Sequence, residues 1–213
     1  MYLSPSVEKF LSAYHKFYQV ASCFLDEELR ANRQHEFTQI DIEMSFVEND
    51  EDVMEIAEGM IKDIFAKCKN ITFTKPFRRM TWTEAMNRFG SDKPDTRYGL
   101  ELNDISPAVK NSEFTVFRQA LEKGSVRALC VKGGADKFTR KEIDAFADFV
   151  KDYGAKGLAW ASKKNDGSTT STFYKFLTED EIKNIEDILH AEKGDLILVV
   201  ADNKNKVVYD SLG

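Results

Sequence analysis

Three polar side chains at every second position carry the strongest chemical signal in this sequence. Within residues 23–46, Gln39, Asp41 and Glu43 alternate with apolar residues, and alternate side chains of an extended strand point to opposite faces. The segment therefore predicts two strands around a charged loop, with a strip of hydrogen-bond acceptors on one face. The same alternation is also typical of a strand with one face in solvent, and the pattern alone leaves both interpretations open.

Taken residue by residue, the segment CFLDEELRANRQHEFTQIDIEMSF is similar to motif 2 of the class II aminoacyl-tRNA synthetases, in the form found in bacterial-type aspartyl-tRNA synthetases. The similarity continues in family order through residues 79–102, 132–160 and 194–208, so it covers most of the chain. It implies a ligase that activates aspartate with ATP and passes the aspartyl group to the terminal ribose of tRNA. ATP would be a substrate accompanied by Mg²⁺, and no resident metal site is implied.

The resemblance assigns an aspartate-binding role to one set of residues. Lys9 matches a lysine that helps to hold aspartate, and Ser6 stands where the family has a glutamine. Gln39 and Asp41 would line the pocket for aspartate and the adenylate, and Glu43 would support them. Without the family, each of these would equally suit a polar position on an exposed strand.

A second set would meet ATP and tRNA. By the same resemblance, Asp26, Glu27 and Gln34 would bind ATP, and Glu27 and Gln34 could also meet the acceptor end. Glu27 would in addition be a catalytic residue, together with the residue at position 25. Arg30 and Arg33 would contact the acceptor end of tRNA, although a solvated turn would explain these two cations as well.

One position departs from the family in a way that affects the chemistry. Aspartate and the α-phosphate are both anionic, so their approach needs a cation, and the family supplies it as a motif-2 arginine. This chain has Leu25 there. We therefore expect very low or no adenylation, and we expect that Leu25→Arg alone does not restore it. The segment before motif 2 is also about three residues shorter than in the family, and His35 and Asn32 replace a proline and an aspartate.

The composition is that of a globular protein. The chain has 213 residues, 42% hydrophobic and 31% charged, with a formal net charge of -6. This charge argues against nonspecific coating of nucleic acid, which needs a positive surface. No apolar run approaches the roughly 18 residues of a membrane span and the start does not resemble a signal peptide, so we expect a cytoplasmic location. The three cysteines have no metal-ligand spacing.

Hydrophobic periodicity and capping residues predict the elements. Helices are expected at 4–14, 50–68 (with its apolar stripe in the core), 83–89 (capped by Thr83), from Thr139, from Thr178 to 190, and from 207 onward. Glu142 and Glu181 complete capping boxes with the threonines three residues earlier. Strands are expected at 113–118, 126–131, 157–161 and 196–200, with a loop at 165–172.

The resemblance gives these elements a domain organisation of the α+β class. Residues 1–103 would be part of a class II synthetase antiparallel catalytic sheet with flanking helices, and residues 104–213 a mixed α/β insertion domain of bacterial-type aspartyl-tRNA synthetases. Nothing in the chain resembles the family's anticodon-binding barrel, its motif-1 dimer helix or its motif 3. We therefore expect an internal fragment of an enzyme that is a homodimer.

Two functional hypotheses follow. The first is a fragment of an aspartate–tRNA ligase that is inactive as the isolated chain. The second is a noncatalytic tRNA-binding or protein-interaction module derived from the synthetase. An enzyme of other chemistry has little support, because no Ser/His/Asp set, Gly-rich phosphate loop or metal-ligand cluster is evident in the sequence.

Overall fold

A computed structural model describes residues 14–26 and 34–213, and it divides the chain into two compact units at Arg78 and Arg79. The predicted helix at 4–14 lies outside the described residues. No helix in the described ranges is both long enough and apolar enough to cross a membrane.

The first unit contains a two-stranded antiparallel ribbon. Strand β1 (Lys16–Phe24) pairs with strand β2 (Glu36–Met44) over their full length. One backbone hydrogen bond extends the ladder at each end, from Leu25 N to His35 O (2.9 Å) and from Ser45 N to His15 O (3.0 Å). The two strands predicted for motif 2 are therefore confirmed.

The ribbon is followed by helix α1 (Asp50–Lys69), as the helical spacing predicted. Asn49 caps it and forms a capping box with Asp52, and Asn70 ends it in the left-handed conformation. The prediction that its apolar stripe lies in a core is wrong, since no residue of α1 is buried. A ribbon and one helix provide too few layers to enclose such a stripe.

The second unit is built on a five-stranded antiparallel sheet in the order β3–β4–β7–β5–β6. The strands are β3 (Asn103–Asp104), β4 (Ser125–Val131), β5 (Ala159–Lys163), β6 (Thr169–Ser171) and β7 (Leu196–Asp202). The helices are α2 (Trp82–Phe89), α3 (Thr115–Ala120), α4 (Gly134–Lys137), α5 (Arg140–Asp152), α6 (Glu179–Leu189) and α7 (Asn205–Leu212). Short 3₁₀ turns lie at Thr96–Tyr98, Ser106–Val109 and Tyr174–Phe176.

Helices cover both faces of this sheet. On one face, Phe117 of α3 and Ile185 of α6 pack with Ile197 and Val199 of the central strand β7. On the other face, the side chains of α5 and α7 pack against Leu196, Leu198 and Val200. Because both faces of β7 are buried, its sequence is almost continuously apolar, which is why the sequence identified it readily.

Several predicted elements differ from those observed, and among them α7 begins at Asn205, two residues earlier than predicted. Residues 113–118 were predicted as a strand, but α3 is a helix because Phe117 and Ala120, three residues apart, both reach the core. Helix α2 is capped by Thr81 rather than Thr83, since the Thr81 hydroxyl accepts from Glu84 N. Strand β5 begins two residues later than predicted. The 165–172 loop contains β6, which pairs with β5 across a turn at Gly167.

Candidate active site

The polar face of the ribbon is assembled by the pairing of its two strands. The register places Gln19 opposite Asp41, Ala21 opposite Gln39, and Phe17 opposite Glu43. Directly opposed residues of an antiparallel pair project to the same face. The three polar residues predicted to share a face therefore do so, and Asp41 and Glu43 are half-buried there.

Gln19 is a member of this face that the sequence did not reveal. Its Nε2 donates a hydrogen bond of 3.0 Å to Oδ2 of Asp41. The contact holds the Oδ2 atom of the carboxylate against Gln19. Only the strand register could have identified Gln19, because 22 residues separate it from Asp41 along the chain. Next to this pair, the Cys23 thiol lies 3.8 Å from Oε1 of Gln39.

Leu25 continues the same row of side chains. Its backbone N donates to His35 O, and Nδ1 of His35 lies 3.1 Å from Leu25 O, so the ladder extends one pair beyond the strands. By strand alternation, position 25 follows Ala21 and Cys23 on the Asp41 face. The Leu25 side chain is 51% exposed.

The two described ATP-binding candidates, Gln34 and Asp26, lie in different surroundings. Gln34 lines a shallow depression with Ser22, Glu36 and Thr38, which are the positions that alternate away from Asp41. Asp26 is exposed just beyond Leu25. The structure therefore does not bring Gln34 together with Asp41.

The remaining candidates fall where the structure gives no description. Ser6 and Lys9, predicted for aspartate, and Glu27, Arg30 and Arg33, predicted for ATP and tRNA, all lie outside the described residues.

The charges on the Asp41 face are negative at the positions that the structure describes. Across the described positions of the ribbon, the Asp41 face carries the carboxylates of Asp41 and Glu43 and no lysine or arginine. Two carboxylates without a cation attract an ammonium group and repel a phosphate or a second carboxylate. Within residues 14–26 and 34–213, no three His, Cys, Asp or Glu side chains are grouped to hold a metal ion.

Comparison with protein families assigns the chain to a family. Residues 7–200 match the family described as tRNA synthetases class II (D, K and N). The chain belongs to this family. The matched span contains the whole ribbon and most of the second unit.

Individual proteins of this synthetase family are similar to the chain in sequence. The chain is 53% identical to the aspartate–tRNA ligase of Clostridium acetobutylicum over 99% of its length. It is 51% identical, also over 99% of its length, to the aspartate–tRNA(Asp/Asn) ligase of Caldanaerobacter subterraneus. It is 48% identical over 95% of its length to the aspartate–tRNA ligase of Staphylococcus carnosus. The chain spans about a third of the length of these relatives, 34 to 36%.

Class II synthetases use an amino acid, tRNA and ATP with Mg²⁺, so the described face can be compared with those needs. Mg²⁺ bound with a nucleotide takes one or two carboxylates, and Asp41 and Glu43 offer that chemistry. The phosphates need a donor with positive charge, and the described part of this face offers none. The face fits the ammonium group of an amino acid better than it fits a triphosphate.

Proposed function

We propose that this chain is part of an aspartate–tRNA ligase and that, as it stands, it does not form aspartyl-adenylate at a useful rate. The first half of the proposal is supported by family membership and by the aspartate–tRNA ligases that match almost the whole chain. The second half is supported by position 25: a leucine stands there, one residue beyond β1, where strand alternation puts it on the Asp41 face, and no described neighbour on that face supplies a cation.

The chain's own residues retain the amino-acid side of the chemistry. Asp41 and Gln39 present acceptors for the aspartate ammonium group, and Gln19 holds the Asp41 carboxylate in one orientation. Leu25 can neither donate a hydrogen bond nor carry charge, so it cannot bring the substrate carboxylate and the α-phosphate together. Loss of one transition-state donor costs roughly 10² to 10³ in rate, and a group touching both reactants should cost at least that.

Aspartate-dependent exchange between ATP and pyrophosphate tests the proposal on the purified chain. We expect no exchange above that of a heat-inactivated sample, with the Clostridium acetobutylicum ligase as the positive control. Leu25→Arg in the isolated chain should also remain inactive, because the shortened segment before motif 2 is unchanged. Clear aspartate-dependent exchange by the unaltered chain would refute its proposed inactivity.

A chimera isolates the effect of position 25. The matching region of the Clostridium acetobutylicum ligase is replaced by residues 14–213 of this chain, so the relative supplies the segment before motif 2. We expect this chimera to exchange poorly and its Leu25→Arg variant to gain roughly 10²-fold or more. Leu25→Lys is the matched control, and it should gain less because an ammonium group cannot bridge two oxyanions as a planar guanidinium does. Equal activity of the three proteins would show that position 25 is not decisive.

A noncatalytic tRNA-binding or protein-interaction module is the second candidate. It is favoured by the leucine at position 25 and by the separate hydrophobic core of the second unit. The net charge of -6 and the two carboxylates of the ribbon weigh against strong tRNA binding. Titration of tRNA in a filter-binding assay across a salt series distinguishes the RNA-binding version, since phosphate contacts weaken steeply with salt. Absence of saturable binding at low salt would remove it. A cytoplasmic location and a homodimeric parent enzyme remain predictions.

A further inference from the structure

We propose that a cleft between α2 and α7 binds an unstacked RNA base that presents carbonyl oxygens, with uracil preferred. The cleft has a volume of about 670 Å³, within the range of small-ligand sites. It lies wholly within the second unit and shares no residue with the ribbon. Six of the side chains that line it are large enough to contact a ligand through a ring, an amide, a thioether or an ammonium group: Trp82, Met86, Asn87, Asn205, Lys206 and Tyr209.

Trp82 provides a stacking surface. Its side chain is 67% exposed, although it is the largest apolar residue of α2. Met86, one helical turn further on, and Tyr209 of α7 line the same cleft. Exposed aromatic rings beside a cleft are the surfaces on which proteins stack unpaired bases.

Two asparagines line the cleft, and the Oδ1 atom of each accepts a hydrogen bond from within the protein. Oδ1 of Asn87 already accepts from the Tyr209 hydroxyl (2.8 Å) and from Nη2 of Arg127 (2.9 Å). Oδ1 of Asn205 accepts from the Ser125 hydroxyl (2.8 Å). Because these internal bonds use the oxygens, each amide presents its NH₂ group as the free donor.

The position of the walls is fixed by close backbone contact. Gly90 ends α2 with a φ of 67°, and a Cβ there would lie 2.7 Å from Tyr209 O. Only glycine allows this approach. The buried Arg127 side chain also donates to Asn87 O (2.9 Å), which anchors α2 to the sheet. The donors of the cleft therefore stand on a rigid frame.

These features together select the ligand. Two NH₂ groups call for acceptor oxygens, and the aromatic wall calls for a flat ring. The carboxylates at the rim are paired, Asp210 with Lys206 and Asp92 with Lys93, so the lining that the structure describes offers no unpaired cation to a phosphate. Uracil has two carbonyl oxygens on a small ring, whereas adenine has none. The choice of RNA over other planar ligands rests on the proposed function.

Tryptophan fluorescence tests the proposal on the full chain. The protein has two tryptophans, and Trp160 is buried, at 4% exposed, with the Arg140 guanidinium over its ring. Trp160→Phe therefore isolates the signal of Trp82, and Trp82→Phe isolates that of Trp160. Uridine should quench Trp82 saturably and leave Trp160 unchanged. Adenosine should bind at least about tenfold more weakly, because its base has no carbonyl oxygen and offers only ring nitrogens to the amide donors.

Two substitutions test the amide donors without breaking internal bonds. Asn87→Asp and Asn205→Asp keep the oxygen that accepts from Tyr209, Arg127 or Ser125 and replace only the NH₂ group. Each should weaken uridine binding about tenfold or more, because a donor becomes a repelling acceptor. Asn184→Asp on the exposed surface of α6 adds the same charge elsewhere and should leave the affinity unchanged.

Absence of saturable Trp82 quenching would overturn the proposal. So would equal affinity for uridine and adenosine, or unchanged affinity in both asparagine variants with thermal unfolding midpoints like that of the parent. The assay uses neither ATP nor aspartate, so its failure leaves the proposed ligase origin untouched. Conversely, Leu25→Arg should not alter the uridine titration.

Discussion

Asp195 shows how one residue can connect distant parts of the chain. It is 3% exposed, and its Oδ2 accepts from Lys132 Nζ and from Glu192 N, each at 2.8 Å. Its Oδ1 accepts from Gly133 N at 3.0 Å. Burial by itself raises the pKa of this carboxyl group, but these donors favour the charged form more strongly, and the net pKa is lowered.

Replacing this carboxylate should therefore weaken the second unit. We expect Asp195→Asn to lower the free energy of unfolding by about 1.5 to 3 kcal/mol at neutral pH, the range for hydrogen bonds to a charged group. Urea titration measures the change. Asp148→Asn, which removes an exposed partner of Lys151, is the matched control and should stay within about 1 kcal/mol of the parent.

The Asp195 effect should also depend on pH with a definite sign. Because folding lowers the pKa, the carboxylate's contribution is fully present above the unfolded-state pKa of about 3.9 and is lost as pH falls through the folded value. The gap between parent and Asp195→Asn should therefore shrink in acid. A gap that widened in acid would contradict the assigned role.

At the scale of elements, the start of helix α5 is stabilised by a capping box in its first turn. The Thr139 hydroxyl accepts from Glu142 N, and Glu142 Oε2 accepts from Thr139 N at 2.7 Å. The same reciprocal pair of bonds starts α6 at Thr178 and Glu181. These bonds satisfy backbone donors that no helical carbonyl can reach.

Thr139→Ala should consequently lower the free energy of unfolding by about 1 kcal/mol. Thr139→Ser keeps the hydroxyl and should remain close to the parent. Urea unfolding followed by circular dichroism measures both. Equal loss in the two variants would show that the threonine methyl group, and not the cap, matters at this position.

For the whole molecule, the structure shows that residues 79–103 are integral to the second unit. Arg127 of β4 is only 7% exposed, and it donates to the backbone and side-chain oxygens of Asn87 on α2. Its Nε has no hydrogen-bond partner among the described residues, Nη2 lies 3.5 Å from Asp104 Oδ2, and the guanidinium lies over the Tyr209 ring. Leu102 N donates to Arg88 O, and Leu102 packs in one of the core clusters.

A truncation series tests this integration. We expect a polypeptide of residues 79–213 to unfold in one cooperative transition. One of residues 104–213 should be less stable by about 2 kcal/mol or more, because it lacks the Asn87 acceptors and the Leu102 packing and leaves Arg127 with Asp104 alone, 3.5 Å from Nη2. Arg127→Met in the shorter polypeptide should recover part of the loss, since it removes a guanidinium that has lost its Asn87 acceptors. Equal urea midpoints for the two lengths would refute the prediction.

The sequence alone determined those features whose partners lie within a few residues. The capping boxes at Thr139 and Thr178, the periodicity of α1, and the alternation of Gln39, Asp41 and Glu43 are local signals, and each was confirmed as an element or a face. The motif-2 resemblance, carried by contiguous residues, was confirmed as the family. The roles it assigned to individual residues remain predictions.

Tertiary structure decided what depends on partners far away in the chain. Residues 113–118 alternate like a strand, yet α3 is helical because its core contacts lie on other elements. Strand β6 exists only through its pairing with β5. The Gln19–Asp41 bond requires the ribbon register, and Arg127 meets Asn87 across 40 residues of sequence. Such contacts are set by the path of the whole backbone, which local propensity does not encode.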